Sequence, residues 1–178
     1  EYLKITFGVK NGTAGSYKNA IIILNNIFKQ YNVFNFSGDS ITDISDAGEI
    51  YSLYEFVKAE EKKMRVGKDS IFKYGDNNRP SYPQKGFCSA AVRSLLNFRE
   101  ATIQKKATEC VKLTNSTAQL LKNLEGITNI SDTETNAEVH QRIGQNVFRS
   151  ILLEIYRGQC CVCGLNITEV LRASHILP

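Results

Sequence analysis

Apolar residues recur at three- and four-residue steps through most of this chain, the period of an amphipathic helix. The first set, Tyr17, Ala20, Ile21, Leu24, Ile27, Phe28 and Tyr31, predicts a helix over residues 13–31 that starts near Thr13 or Ser16. After a turn containing Ser37, Gly38 and Asp39, the run 41–46 ends in capping side chains. Ile50, Leu53, Tyr54, Phe56 and Val57 then predict a second helix to about Met64. Residues 67–86 hold Gly67, Gly75, Asn77, Asn78, Pro80, Pro83 and Gly86, and so read as a long surface loop. Ala90, Ala91, Leu95, Leu96 and Phe98 predict a third helix from about Gly86 to about Lys106.

Beyond it, Leu113, Leu120, Leu121 and Leu124 mark a further helix, and the polar, turn-rich stretch 126–136 reads as an interdomain linker. Val139, Ile143, Val147, Ile151, Leu152 and Ile155 then define one face of a helix over 137–156. The expected fold is mainly α. A helical N-terminal domain occupies 1–105, a helix and linker 106–140, and a separate C-terminal unit 141–178.

With 178 residues, 42% of them apolar, the chain has enough material for a proper core. Its net charge of +4 falls short of the balance of strongly basic nucleic-acid binders, so any such surface has to be a local patch. One window qualifies: Arg79, Lys85, Arg93, Arg99, Lys105 and Lys106 stand against Glu100 alone, with Tyr74, Tyr82 and Phe87 close by. A run of this kind is also what a solvated helix face looks like. The longest apolar run, residues 20–24, is far shorter than the roughly 20 residues a membrane-spanning helix needs. No membrane segment is expected, and with no leader pattern the expected address is cytoplasmic.

Three of the five cysteines crowd into residues 160–163, which is no disulfide framework. Cys88 and Cys110 lie in helical patterns and read as buried small apolar residues. Cys160 and Cys163 form a C-x-x-C-G turn whose two thiolates can share one tetrahedral metal ion. His175 follows at the end of a short apolar stretch, where an imidazole can take a proton from water at neutral pH. His140 has no such context and reads as a solvent-facing helical residue.

Three pieces occur in order between 142 and 178: R-I-G-Q-N-V-F-R-S-I-L-L, then C-C-V-C-G, then A-S-H-I-L-P. This stretch resembles the HNH endonuclease domains of restriction-type enzymes, and 86–98 more weakly resembles the end of the helical N-terminal domains found on such nucleases. The resemblance implies a ββα-metal fold with a hairpin whose second strand carries His175. It implies that His175 is the general base for DNA phosphodiester hydrolysis, assisted by Mg²⁺ or Mn²⁺. It also implies double-stranded DNA as partner, and a homodimer, since cutting both strands with one site per chain commonly takes two chains. Arg142 and Arg149 match the family's R-x-G-Q-x-x-F-R pattern, and either touch DNA or hold the half-domain together. The rest of the HNH signature is expected after Pro178, so the chain as it stands is expected to be inactive. Ser174 occupies a position where many HNH sites carry an acidic metal ligand. A structural Zn²⁺ on Cys160 and Cys163 would have only half its ligands here, and would be held weakly without the C-terminal segment or a partner chain. The alternative readings are a non-catalytic helical DNA-binding protein with a structural cysteine knuckle, and a helical protein-interaction domain.

Overall fold

The computed structural model describes residues 11–36, 38–73, 79–113 and 134–174. They form five α-helices: α1 Asn11–Tyr31, α2 Ala47–Arg65, α3 Ser81–Gln84, α4 Phe87–Leu113 and α5 Glu134–Ile155. Two 3₁₀ turns, Ile41–Asp43 and Ile71–Lys73, lie in the connections, and no strand occurs among the described residues. The architecture is mainly α. None of the described helices is long and apolar enough to cross a membrane. The chain divides into two compact units, Glu1–Arg99 and Glu100–Pro178.

In the first unit the predicted apolar stripes become the core. Ala20, Leu24, Ile27 and Phe28 of α1 are buried, as are Ile50, Leu53 and Val57 of α2 and Cys88, Ala91, Val92 and Leu96 of α4. Ile41 and Ile44 complete it from the connection, where Ser40 and Asp43 form a capping box and Asn25 binds the Ile41 N–H at 2.9 Å. Asp46 caps α2 by accepting from the Glu49 N–H at 2.7 Å. That helix closes with Gly67 in the left-handed region (φ +70°) and the Lys68 N–H bonded to the Lys63 carbonyl, a glycine-terminated C-cap.

The stretch expected to be loop from 67 to 86 is partly ordered, since Ile71–Lys73 and Ser81–Gln84 each make a turn of helix and bury Phe72 and Pro83. The third predicted helix continues past Lys106 to Leu113. No glycine or proline interrupts 87–113, and Ala107 is fully buried, so the Lys105–Lys106 pair is only an exposed turn of a longer helix. Of the further helix expected through Leu113, Leu120, Leu121 and Leu124, Leu113 is the last residue of α4 and the others lie outside the described residues; so does the linker expected over 126–136 up to residue 133, while residues 134–136 are helical, the first three of α5.

In the second unit α5 starts at Glu134, three residues ahead of its predicted start, and buries Ile143, Val147 and Ile151 at steps of four. It ends through Arg157 and Gly158, both with positive φ, and the Gly158 N–H reaches the Leu153 carbonyl at 2.7 Å. Residues 159–174 follow as turns and irregular chain, where the first part of the ββα hairpin was expected.

Candidate functional site

The C-terminal end of α5 and the chain that returns from the cysteine turn line an open cavity of about 460 Å³. Leu152, Leu153 and Tyr156 line it from the helix, Cys160 from the turn, and Leu171 and Ser174 from the returning segment. The return is fixed by Arg149, whose guanidinium donates to the Thr168 carbonyl at 2.6 Å and to that of Leu171 at 3.4 Å. Gly158 allows this close approach, because a Cβ there would lie 3.1 Å from Thr168 Cγ2 on a backbone already at φ +71°. Ser174 therefore sits at the cavity wall, and His175, the next residue in the chain, lies outside the described residues.

The cysteine turn is closed by two main-chain bonds, Gly164 N–H to the Cys160 carbonyl at 2.9 Å and Cys160 N–H to the Leu165 carbonyl at 2.8 Å. Gly164 takes a positive φ of 72° to make it. Within the turn, the N–H groups of Cys163 and Val162, and then the Cys163 side chain, hydrogen-bond to the Cys160 sulfur and hold its thiol below the usual range. Cys161 and Cys163 are exposed. The fit to the implied metals differs. Two thiols with supporting N–H donors suit a soft ion such as Zn²⁺, which takes sulfur ligands. Mg²⁺ and Mn²⁺ want oxygen, and no carboxylate lines the cavity among the described residues. No group of three or more His, Cys, Asp or Glu side chains suited to a metal occurs among the described residues.

Of the basic residues named as DNA candidates, Arg79, Lys85, Arg93, Arg99, Arg142 and Arg149 separate into two kinds. Arg79 and Lys85 flank α3 and are exposed. The other four have their charged heads engaged within their own unit. Arg93 stacks over the Tyr54 ring at 5.5 Å, with Lys58 also 5.3 Å from that ring's centre. Arg99 donates to the Thr42 carbonyl at 2.7 Å, leaving its buried Nε without a hydrogen bond. Arg142 pairs with Glu100, and Arg149 holds the return segment. Cys88 is buried as expected, with its thiol pushed up to about 12 by burial and then by the charge of Glu61, whereas Cys110 is only half-buried. His140 sits in α5, and its side chain lies outside the described residues.

Sequence reasoning passed over Glu60 and Glu61, the two buried carboxylates of α2. Glu61, 1% exposed, caps α4: it accepts from the N–H groups of Cys88 and Ser89, each at 3.1 Å, and from Ser89 Oγ at 2.6 Å, with Arg65 at 3.5 Å. Glu60 accepts from Lys63 at 2.5 Å and from the Ile71 N–H at 3.0 Å, tying the 70–73 turn to the helix. The signal was present, because Glu61 stands four residues after the core residue Val57 and shares its helix face. Both carboxylates are accounted for as structural ties.

No protein-family model, curated protein or solved structure matches the chain.

Proposed function

We propose that this chain belongs to a DNA-cleaving enzyme of the HNH endonuclease type, with His175 as the general base that takes a proton from the water attacking a phosphodiester. The reading is carried by the spacing of the C-x-x-C-G turn and the A-S-H-I-L-P run after it. It is supported by the cavity beside α5, whose lining includes Ser174, and by the Arg149 bonds that tie Thr168 and Leu171 of the same segment to α5. An imidazole can take a proton from water at neutral pH without further activation. The Mg²⁺ or Mn²⁺ ion that the resemblance implies supplies charge stabilisation at the phosphate when bound, and its oxygen ligands would lie outside the described residues. Double-stranded DNA is the proposed substrate. Arg79 and Lys85 are its first proposed contacts, since their charges are exposed.

The test is cleavage of supercoiled plasmid by the protein expressed from its complete native reading frame, with Mg²⁺ or Mn²⁺, against the His175→Ala variant. Cleavage that disappears with the histidine upholds the reading. DNA binding with no cleavage by the unsubstituted protein would favour the helical DNA-binding alternative.

A further inference from the structure

Arg93 differs from the other engaged arginines in what its contact leaves free. Arg99, Arg142 and Arg149 spend N–H donors on carbonyl or carboxylate oxygens. Arg93 lies over the Tyr54 ring at 5.5 Å, and among the described residues its guanidinium makes no hydrogen bond or ion pair. Stacking holds a guanidinium by its flat face and consumes none of the donors around its edge. Charge is also concentrated at this ring. Significant cation–π contacts occur roughly once per 70–80 residues, so two cations on one ring exceed the average: Lys58 stands 5.3 Å from the same ring centre. One carboxylate accompanies them, Glu55, at 3.2 Å from Lys58. Lys62, one turn further along α2, is exposed and has no ion pair among the described residues, whereas Lys63 and Arg65 are paired with the buried Glu60 and Glu61. The dipole of α2 accounts for cations in its last turn, Lys62 among them, but not for a guanidinium brought from α4 onto a tyrosine.

We propose that this face of α2 and α4 binds a backbone phosphate of duplex DNA, with Arg93 as the phosphate ligand, Tyr54 as the residue that positions its guanidinium, and Lys58 and Lys62 as the charges beside it. A guanidinium edge with paired N–H donors matches two phosphate oxygens at once. A row of cations with one carboxylate among them suits a partner whose negative charge repeats along its length, as that of a phosphodiester backbone does. Tyr54 gives its ring to the cations rather than to a base, so the site adds affinity without sequence preference. Naming DNA as the carrier of the phosphate rests on the nuclease reading; the phosphate chemistry does not.

The probe is a short fluorescein-labelled duplex, titrated with the full protein in EDTA so that binding is read apart from cleavage, with anisotropy measured across salt concentrations. Arg93→Ala should weaken binding roughly tenfold and flatten the salt slope by about 0.9 unit, the share of one phosphate contact. Arg93→Lys should keep the slope but lose much of the affinity, because the charge stays and the fork does not. Tyr54→Leu should weaken binding as Arg93→Lys does, Tyr54→Phe should bind like wild type, and Glu55→Gln, which removes the carboxylate, should tighten binding. Circular dichroism and melting temperature confirm that each variant is folded. An unchanged slope in folded Arg93→Ala, equal losses in Tyr54→Phe and Tyr54→Leu, or displacement by polyglutamate as readily as by unlabelled duplex would each overturn the proposal. Slope loss in a protein that cuts no plasmid would uphold the site and sink the nuclease reading, whereas cleavage with an unchanged slope would do the reverse.

Discussion

The guanidinium of Arg149 lies 2.6 Å from the main-chain oxygen of Thr168, joining the middle of α5 to the chain that leads towards His175. Its second bond, to Leu171, makes the side chain a two-point clamp. Arg149→Ala should leave two carbonyls without their charged donor, costing about 1.5–3 kcal/mol in this unit. Arg149→Lys should recover little, because both bonds come from the Nη2 at the far end of the guanidinium and an ammonium on a shorter, flexible stem is not held at that point. Hydrogen exchange is the check: amides of 168–174 should lose protection in both variants, and unchanged protection would mean that the clamp is not what holds the segment.

Glu60 and Glu61 are neighbours in sequence with opposite pH behaviour. For Glu61, burial is the largest influence and raises its carboxyl above the ordinary value of 4.5, despite the opposing hydrogen bonds from Ser89 and Cys88 and the charge of Arg65. Its linked stability is fully present below 4.5 and is lost as pH rises through the folded value. For Glu60 burial also pushes upward, but hydrogen bonds from Lys63 and Ile71 outweigh it and the carboxyl ends below 4.5. Its contribution is present above 4.5 and is lost as pH falls through the folded value. Denaturant melts across pH should therefore show the advantage of wild type over Glu61→Gln shrinking as pH rises, and that over Glu60→Gln shrinking as pH falls. Glu61→Ala, which strips the cap from α4, should cost about 2–4 kcal/mol at low pH, with the same decline in the difference as pH rises.

The helices were legible because their apolar stripes repeat without interruption. Leu24, Ile27 and Phe28, then Ile50, Leu53 and Val57, are core positions in both pattern and structure. What was not legible depends on tertiary partners. The sequence does not say which carbonyls Arg149 will meet, because they lie about twenty residues away. The third helix was expected to end at about Lys106, yet a continuous helix carries Lys105 and Lys106 on its exposed side. The cysteine turn could be read from spacing alone because its chemistry is local. The metal shell could not, since it needs ligands from elsewhere.

The distinction between exposed cations and those tied into their unit gives a prediction for DNA. If Arg79 and Lys85 meet phosphates, Arg79→Ala with Lys85→Ala should flatten the salt dependence of DNA affinity by about two units of slope. Arg142→Ala should leave the slope alone and instead reduce stability by about 0.5–1 kcal/mol, the scale of a partly exposed ion pair with Glu100. Fluorescence anisotropy at several salt concentrations, beside thermal melts, checks both. A flattened slope in Arg142→Ala would move the DNA surface to α5.

Thiol reactivity should divide the cysteines by environment. In metal-free protein near neutral pH, Cys160 should alkylate fastest, because the N–H groups of Cys163 and Val162 favour its thiolate. Cys88, buried and with its thiol at about 12, should react only on unfolding. Mass mapping of time-resolved alkylation gives the order, and early modification of Cys88 would mean that the first unit opens readily.

The central claim, that His175 serves hydrolysis of DNA, is tested most directly by the rate of plasmid cleavage by the complete native protein with and without that imidazole. His175→Ala should lower the rate by at least about a hundredfold, the lower range for loss of a general base, while the helical circular dichroism and the melting temperature stay unchanged. Cleavage at the wild-type rate by the folded alanine variant would contradict the account.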